Sequence, residues 1–235
     1  MNYKFLPVLL FGLLSFTSPR TTTTDPKIIA STAKITLETR ALNLYQSLNS
    51  NSFKLPQLES FTKAFEGFFR LQQMGKIENN ILTLVDFSLS ANTKRLWVID
   101  MDSQTILYHS LVAHGRNSGE EYATQFSNKP ESFQSSLGFY ITGETYQGKH
   151  GYSLRLDGVE PGINDKARER AVVIHGADYV SDEFIRQNKR LGRSQGCPAL
   201  PKGISEEIIQ LIQNKSCLFI YHPSRNYQIA SKLVS

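Results

Sequence analysis

From Ile81 onward the chain is written in short β-rich runs broken by turn residues, and this pattern constrains its fold more than any other feature. Residues 81–87, 95–100 and 105–112 are rich in β-branched and aromatic side chains, and Asp100 to Gln104 supplies a hairpin loop between the last two. Further strands are expected at 139–142, 152–156, 172–174 and 218–220, with helical pieces near 181–188 and 203–214. Glycines at 138, 143, 148, 151, 158 and 162 fall between strands, without the spacing or the following helix of a phosphate loop. The pattern predicts a mixed, β-rich (α+β) domain over residues 81–225, with a C-terminal tail over 226–235.

The residues ahead of this domain read as helical. Over 28–49, Ile35, Leu42 and Tyr45 are spaced to share one face. Over 56–74, Leu58, Phe61, Phe65, Phe68 and Phe69 form an apolar stripe, and Gly75 is placed to cap the helix end. Residues 21–80 are therefore read as a Thr-rich spacer and a helical N-terminal extension. Residues 1–20 carry Lys4, an apolar stretch from Phe5 to Phe16 and then small polar residues, the layout of a secretory signal peptide. That stretch is shorter than the roughly 20 residues a membrane span needs. The expectation is export to the periplasm or cell envelope, with no stable membrane span after signal cleavage.

A hydrophobic fraction of 40%, with 14 Phe and 10 Tyr, is enough for a sizeable core and argues against global disorder. The net charge of +5 is mild, and the absence of a long Lys/Arg run argues against a nucleic-acid partner. It suits an acidic substrate or an anionic envelope.

The chemistry concentrates in two places. The apolar run Ala171-Val172-Val173-Ile174 is expected to stop at His175-Gly176, and after a basic loop comes Gly192-Arg193-Ser194-Gln195-Gly196-Cys197-Pro198-Ala199. Cys197 and Cys217 are the only cysteines, too few for a disulfide framework. Cys217 opens the strand-like run to Tyr221 and reads as a packed thiol, with a Cys197–Cys217 disulfide as the alternative. A cysteine attacks as its thiolate. His175 is placed to take its proton, and Arg186, Lys189, Arg190 and Arg193 put positive charge on the connecting loop, favouring the anion. Gly196 allows a sharp turn that would aim the amides of Gly196 and Cys197 at a developing oxyanion. Pro198 fixes the chain beyond it, and Ser194 is read as orienting either the histidine or the turn.

Val173-Ile174-His175-Gly176-Ala177-Asp178-Tyr179-Val180 and Leu191-Gly192-Arg193-Ser194-Gln195-Gly196-Cys197-Pro198-Ala199-Leu200 resemble the signature of the YkuD-type L,D-transpeptidases, in particular their divergent murein L,D-transpeptidase catalytic domain branch. Val112-Ala113-His114-Gly115-Arg116-Asn117-Ser118-Gly119, Ser135-Ser136-Leu137-Gly138 and Gly162-Ile163-Asn164-Asp165 extend the resemblance over residues 80–222.

The resemblance implies a YkuD-like β-sandwich or barrel with short helices. It also implies cysteine-dependent acyl transfer on peptidoglycan stem peptides, with Cys197 as nucleophile, His175 as general base and then acid, and no metal or cofactor. The histidine's orienting partner in such domains is usually a backbone carbonyl. The acyl group would pass to an amine, giving a 3–3 cross-link, or to water, giving L,D-carboxypeptidase or endopeptidase activity. A non-catalytic wall-binding protein on the same fold is the alternative of another class. Gln195 and Ala199 depart from the common motif, which has His before the Gly-Cys pair and Arg shortly after it. Arg193 is then the natural carboxylate anchor, and His114, Gly138 and Tyr140 are expected to contribute to the substrate cleft, with core roles as the alternative for His114 and Tyr140.

Overall fold

A computed structural model describes the backbone of residues 26–234 and the side chains of residues 36–234. The signal peptide expected at 1–20 lies outside the described residues. The chain divides into two compact units, Met1–Ile35 and Thr36–Ser235. Of the first, the described part is helical backbone belonging to α1 (Pro26–Ser47).

In the second unit, α2 (Leu58–Gln73) is followed by β1 (Ile81–Asp86), β2 (Leu96–Asp100), β3 (Thr105–Ser110), β4 (Gly138–Gly148), β5 (Gly151–Gly158) and β6 (Val173–Ala177). Then come α3 (Asp182–Asn188), β7 (Ala199–Pro201), α4 (Lys202–Ile212), β8 (Cys217–Tyr221) and α5 (Arg225–Ala230). The eight strands form one sheet in the order β3-β2-β1-β8-β4-β5-β6-β7. An antiparallel bridge between Ala113 and Ala199 joins the segment after β3 to the far edge strand β7, so the sheet nearly closes on itself. The mixed, β-rich class expected from the pattern is therefore the class observed.

The helix α2 belongs to this core. Phe61, Ala64, Phe65, Phe68 and Leu71 are buried against strand residues such as Phe139 and Phe219, whose rings stack at 4.0 Å. Gly67 lets the helix approach closely: a Cβ there would sit 2.0 Å from the Phe139 ring. The helix ends as Gly75 predicts. With φ +66 it donates its N–H to Gln72 O, while Lys76 N–H reaches Leu71 O, the paired bonds of a Schellman cap. Leu58, at the first turn, is exposed and lies off the buried stripe. In α1 the buried face is set by Ala41, flanked by Leu37, Leu44 and Tyr45, and Leu48 is buried just past the helix end. Of the face expected from Ile35, Leu42 and Tyr45, Tyr45 packs on the core and Leu42 points outward, while the Ile35 side chain lies outside the described residues. Residues after 225 also dock. Tyr227 donates its hydroxyl to Glu160 at 3.1 Å, and Leu233 and Val234 join the core.

Two registers position the site. β6 pairs in parallel with β7, with His175 opposite Ala199 and Gly176 opposite Leu200. The β4–β5 hairpin outruns its neighbours. β4 leaves β8 after Ile141, and the pairing of β5 with β6 begins at Ser153 opposite His175. The hairpin tip, closed by Gly148 opposite Gly151, therefore projects past the sheet.

Filling the Gly67 contact should expel α2 from its seat. Gly67→Leu is expected to cost about 2 kcal/mol or more through overpacking, lowering Tm by about 4–8 °C. An unchanged thermal melt would mean that α2 does not rest on the Phe139 ring.

Candidate active site

His175 does not end its strand. It sits in the middle of β6, which continues to Ala177, because Gly176 is a pairing residue opposite β7 rather than a turn. Gly176 is required for a different reason: a Cβ there would lie 2.4 Å from Ser205 Oγ on α4. The His175 Nδ1–H donates to Gly176 O at 3.0 Å. That bond holds one tautomer and leaves Nε2 with a lone pair. Burial, opposed by this hydrogen bond and aided by nearby His150, lowers the imidazole below the ordinary histidine range, so it is neutral at neutral pH.

Continuing the β6–β7 register two residues back from Ala199 brings Cys197 level with Val173, and Val173 N–H donates to Cys197 Sγ at 3.4 Å. The thiol itself points to Ala171 O at 3.8 Å. Ala171 holds a left-handed backbone, φ +52, unusual for a residue with a Cβ. Among the described residues the thiol's hydrogen bonds run to Val173 and Ala171, not to the imidazole. Burial raises the thiol above its ordinary range, partly offset by the Val173 N–H and by the charge of Arg170.

The turn that carries the cysteine is tied down from several directions. Ser194 Oγ accepts the Gly196 N–H at 3.0 Å and donates to Cys197 O at 2.6 Å, so Ser194 orients the turn and not the histidine. Ser135 Oγ donates to Gly196 O and accepts the Gly115 N–H, both at 3.0 Å. Ser194 N–H reaches His114 O, and Arg116 N–H reaches Ser194 O. Gly196 has φ +123, and a Cβ on it would meet Gln134 O at 2.9 Å. Its N–H is already used by Ser194. Cys197 N–H has no hydrogen-bond partner among the described residues.

These parts line a cleft of about 500 Å³. Cys197, His175, Ser194, Arg193 and Gln195 all face it. Tyr146, Lys149 and His150 from the hairpin form one wall, and Arg170 with the loop around Phe133 forms another. Arg193 donates to Glu120 at 2.7 Å and to the carbonyls of Arg116 and Gly119, so it reaches the cleft as a paired residue. Arg186 pairs with Glu183 on the surface of α3 and Lys189 is exposed. The cation that acts on the thiol is Arg170. It is anchored by Gln134 O at 2.7 Å and Ser136 Oγ at 2.6 Å.

Three residues expected at the cleft are elsewhere. His114 is fully buried, edge-on to Phe87, accepting from Arg95 at 2.8 Å and donating to Gly119 O at 3.2 Å. Burial and the Arg95 charge push it down to about 4, a neutral structural histidine. Tyr140 is a core residue whose hydroxyl donates to Ser136 O. Gly138, φ +102, leaves room for the buried Glu160 carboxylate, 2.2 Å from where its Cβ would be. Burial of Cys217 in β8 raises its thiol, and both cysteines are free, so no disulfide links them.

Arg170 and His150 escaped the sequence reading. Arg170 lies in the charged run Lys166 to Arg170 just before β6, a run with a readable charge pattern but no motif. His150 sits between the hairpin glycines, 25 positions before His175 in the numbering, so spacing alone carries no signal.

Residues 54–221 match the L,D-transpeptidase catalytic domain family, and the chain belongs to that family. The matched region begins ahead of α2, earlier than the strand motifs suggested. The fold is similar to an L,D-transpeptidase from Mycobacterium smegmatis, at 13% identity and TM-score 0.37, covering 61% of this chain and 59% of that one. An L,D-transpeptidase from Stackebrandtia nassauensis matches at 12% identity and TM-score 0.36, covering 71% and 68%. One from Xylanimonas cellulosilytica matches at 10% identity and TM-score 0.35, covering 88% and 99%. The chain thus spans about three fifths of the first of these structures. No curated protein matches it. Among the described residues no helix is long and apolar enough to cross a membrane.

Iodoacetamide should label Cys197 and spare Cys217. Because burial raises the Cys197 thiol, its labelling rate should climb at a pH above that of an ordinary thiol. Arg170→Gln removes a charge that favours the thiolate and should move that rise further up. Labelling of Cys217 first, or a downward move in Arg170→Gln, would contradict this electrostatic picture.

Proposed function

We propose that this domain is a cysteine-dependent L,D-transpeptidase acting on peptidoglycan stem peptides, with Cys197 as nucleophile and His175 as general base and acid. The observation that carries this reading is the convergence in one cleft of a thiol and an imidazole whose Nδ1–H is held by the Gly176 carbonyl. A neutral imidazole with a free Nε2 is the form able to accept a proton.

In the first half-reaction the thiol turns from the Ala171 carbonyl toward His175 Nε2 and gives up its proton there. Sγ bonds to the carbonyl carbon of the third stem residue. The carbonyl oxygen becomes an oxyanion, for which Cys197 N–H is the donor still available, the Gly196 N–H being engaged by Ser194. As the bond to the terminal D-amino acid breaks, His175 returns the proton to the leaving amine. In the second half-reaction an acceptor amine attacks the thioester and loses its proton to His175, and the thiol is restored as the new amide forms. Water in the acceptor's place gives the carboxypeptidase product.

The bonds of Ser194 and Ser135 support a rigid backbone at Gly196 and Cys197, so that only the thiol side chain has to turn before attack. Lys149 and Arg170 give the cleft positive charge suited to the carboxylates of a stem peptide, while Arg193 reaches it paired with Glu120. We assign residues 1–20 to an export signal, which would bring the domain to the cell envelope where that substrate lies.

The test is incubation with a purified stem tetrapeptide, with and without an added amine acceptor, reading product masses. The native chain should release the terminal D-amino acid and transfer the remaining acyl group to the acceptor. Cys197→Ala should abolish both, and His175→Ala should lower kcat by about 10²–10⁴-fold. Hydrolysis alone in the presence of acceptor would reassign the domain to the carboxypeptidases. Binding to sacculi without release of product would make it a wall-binding module.

A further inference from the structure

The ring of His150 stacks on the ring of His175, with centroids 4.4 Å apart and planes 25° from parallel. The contact follows from topology. Ser153 of β5 pairs with His175 of β6, and the hairpin tip three residues earlier turns beside that same histidine. Gly148 and Gly151 close the tip, and Gly151 has φ +78, so the two residues between them, Lys149 and His150, are the ones presented to the cleft. His175 is 2% exposed while His150 is exposed. One imidazole is therefore built into the sheet and the other laid over it from a projecting arm.

We propose that His150 is a positioning residue, holding the His175 ring in its hydrogen bond to the Gly176 carbonyl by stacking on it and so tying the base to the hairpin. The inference rests on the reading of His175 as general base. Stacking restricts rotation of the ring, so that Nε2 keeps its direction when the thiol arrives. The ring contact also carries charge to the base: His150 lies 4.4 Å from His175 and is among the groups that lower it, after burial.

Other charged and titratable side chains face the same space. Lys149 and Tyr146 come from the hairpin, Glu131 from the loop before β4, Arg170 from the turn before β6, and Tyr179 from the segment after β6. Arg193 and the Cys197 thiol complete the set from the turn before β7. His150 is distinguished from these by direct ring contact with His175. Its substitution can then separate ring placement from charge, because phenylalanine keeps the stack and removes the imidazole nitrogens.

The full chain is compared with His150→Phe and His150→Ala, two changes at an exposed hairpin tip. Imidazole resonances are followed by NMR through a pH titration, a readout that needs no substrate. In His150→Phe the His175 titration should move up, because the charge that opposes its proton is gone while the ring stack is kept. In stem-peptide turnover the acid limb of kcat/KM should move up with it. His150→Ala should lower plateau kcat more than His150→Phe does, with KM little changed. A His175 titration that stays put or moves down overturns the coupling. Equal plateau kcat in all three proteins, or a change confined to KM, overturns the positioning role. Failure of turnover in the native chain with an intact titration shift would instead count against the assigned reaction and leave the ring contact standing.

Discussion

The parallel pairing of β6 with β7 is the constraint on which the site depends. With His175 opposite Ala199, a single register brings a histidine from one strand and a cysteine just ahead of the next to the same edge. Parallel neighbours need a long crossover, and here that crossover contains α3 and the basic loop. A slip of this register by one residue would turn the His175 side chain to the opposite face of the sheet. Two features hold the register. Gly176 lets α4 come within contact of the strand, and the bridge from Ala113 to Ala199 closes β7 from its other side.

The turn that carries Cys197 is held by neutral groups more than by charges. Ser194 and Ser135 each make two hydrogen bonds around Gly196, and Gly115 packs so near that a Cβ on it would lie 3.0 Å from Gly196 Cα. Charge enters one layer out. Arg170, fixed by Gln134 and Ser136, favours the thiolate, while burial opposes it. Burial thus favours the protonated thiol at rest, and the proposed destination of its proton is the His175 imidazole. The Arg95–His114 pair lies further in and supports the Gly115 segment that braces the turn. Its importance is architectural.

Most of the strands and α2 are legible in the sequence because their signals are local: β-branched runs between turn residues, and apolar side chains at helical spacing. The short β7 is not legible, since three residues ending in proline carry no period. The small α5 was hidden in what read as a tail, because its docking depends on Tyr227 meeting Glu160, a contact far apart in sequence. The Cys197 and His175 pair was readable because both sit in compact glycine-marked motifs. His114, Gly138 and Tyr140 show the limit of such reading. Motif residues that brace a site look, in sequence, like residues that line it. Arg170 and His150 show the reverse, cleft residues supplied by a turn and a hairpin whose reach only the strand registers determine.

In the proposed reaction Cys197 carries the acyl group between the two half-reactions. Rapid quenching of the native chain with a stem tetrapeptide, followed by peptide mapping, tests it directly. A thioester is expected on the Cys197 peptide, with the mass of the substrate less its terminal D-amino acid, lost on adding an amine acceptor and absent in Cys197→Ala. Turnover that proceeds in Cys197→Ala, or an acyl group found on another residue, would contradict it.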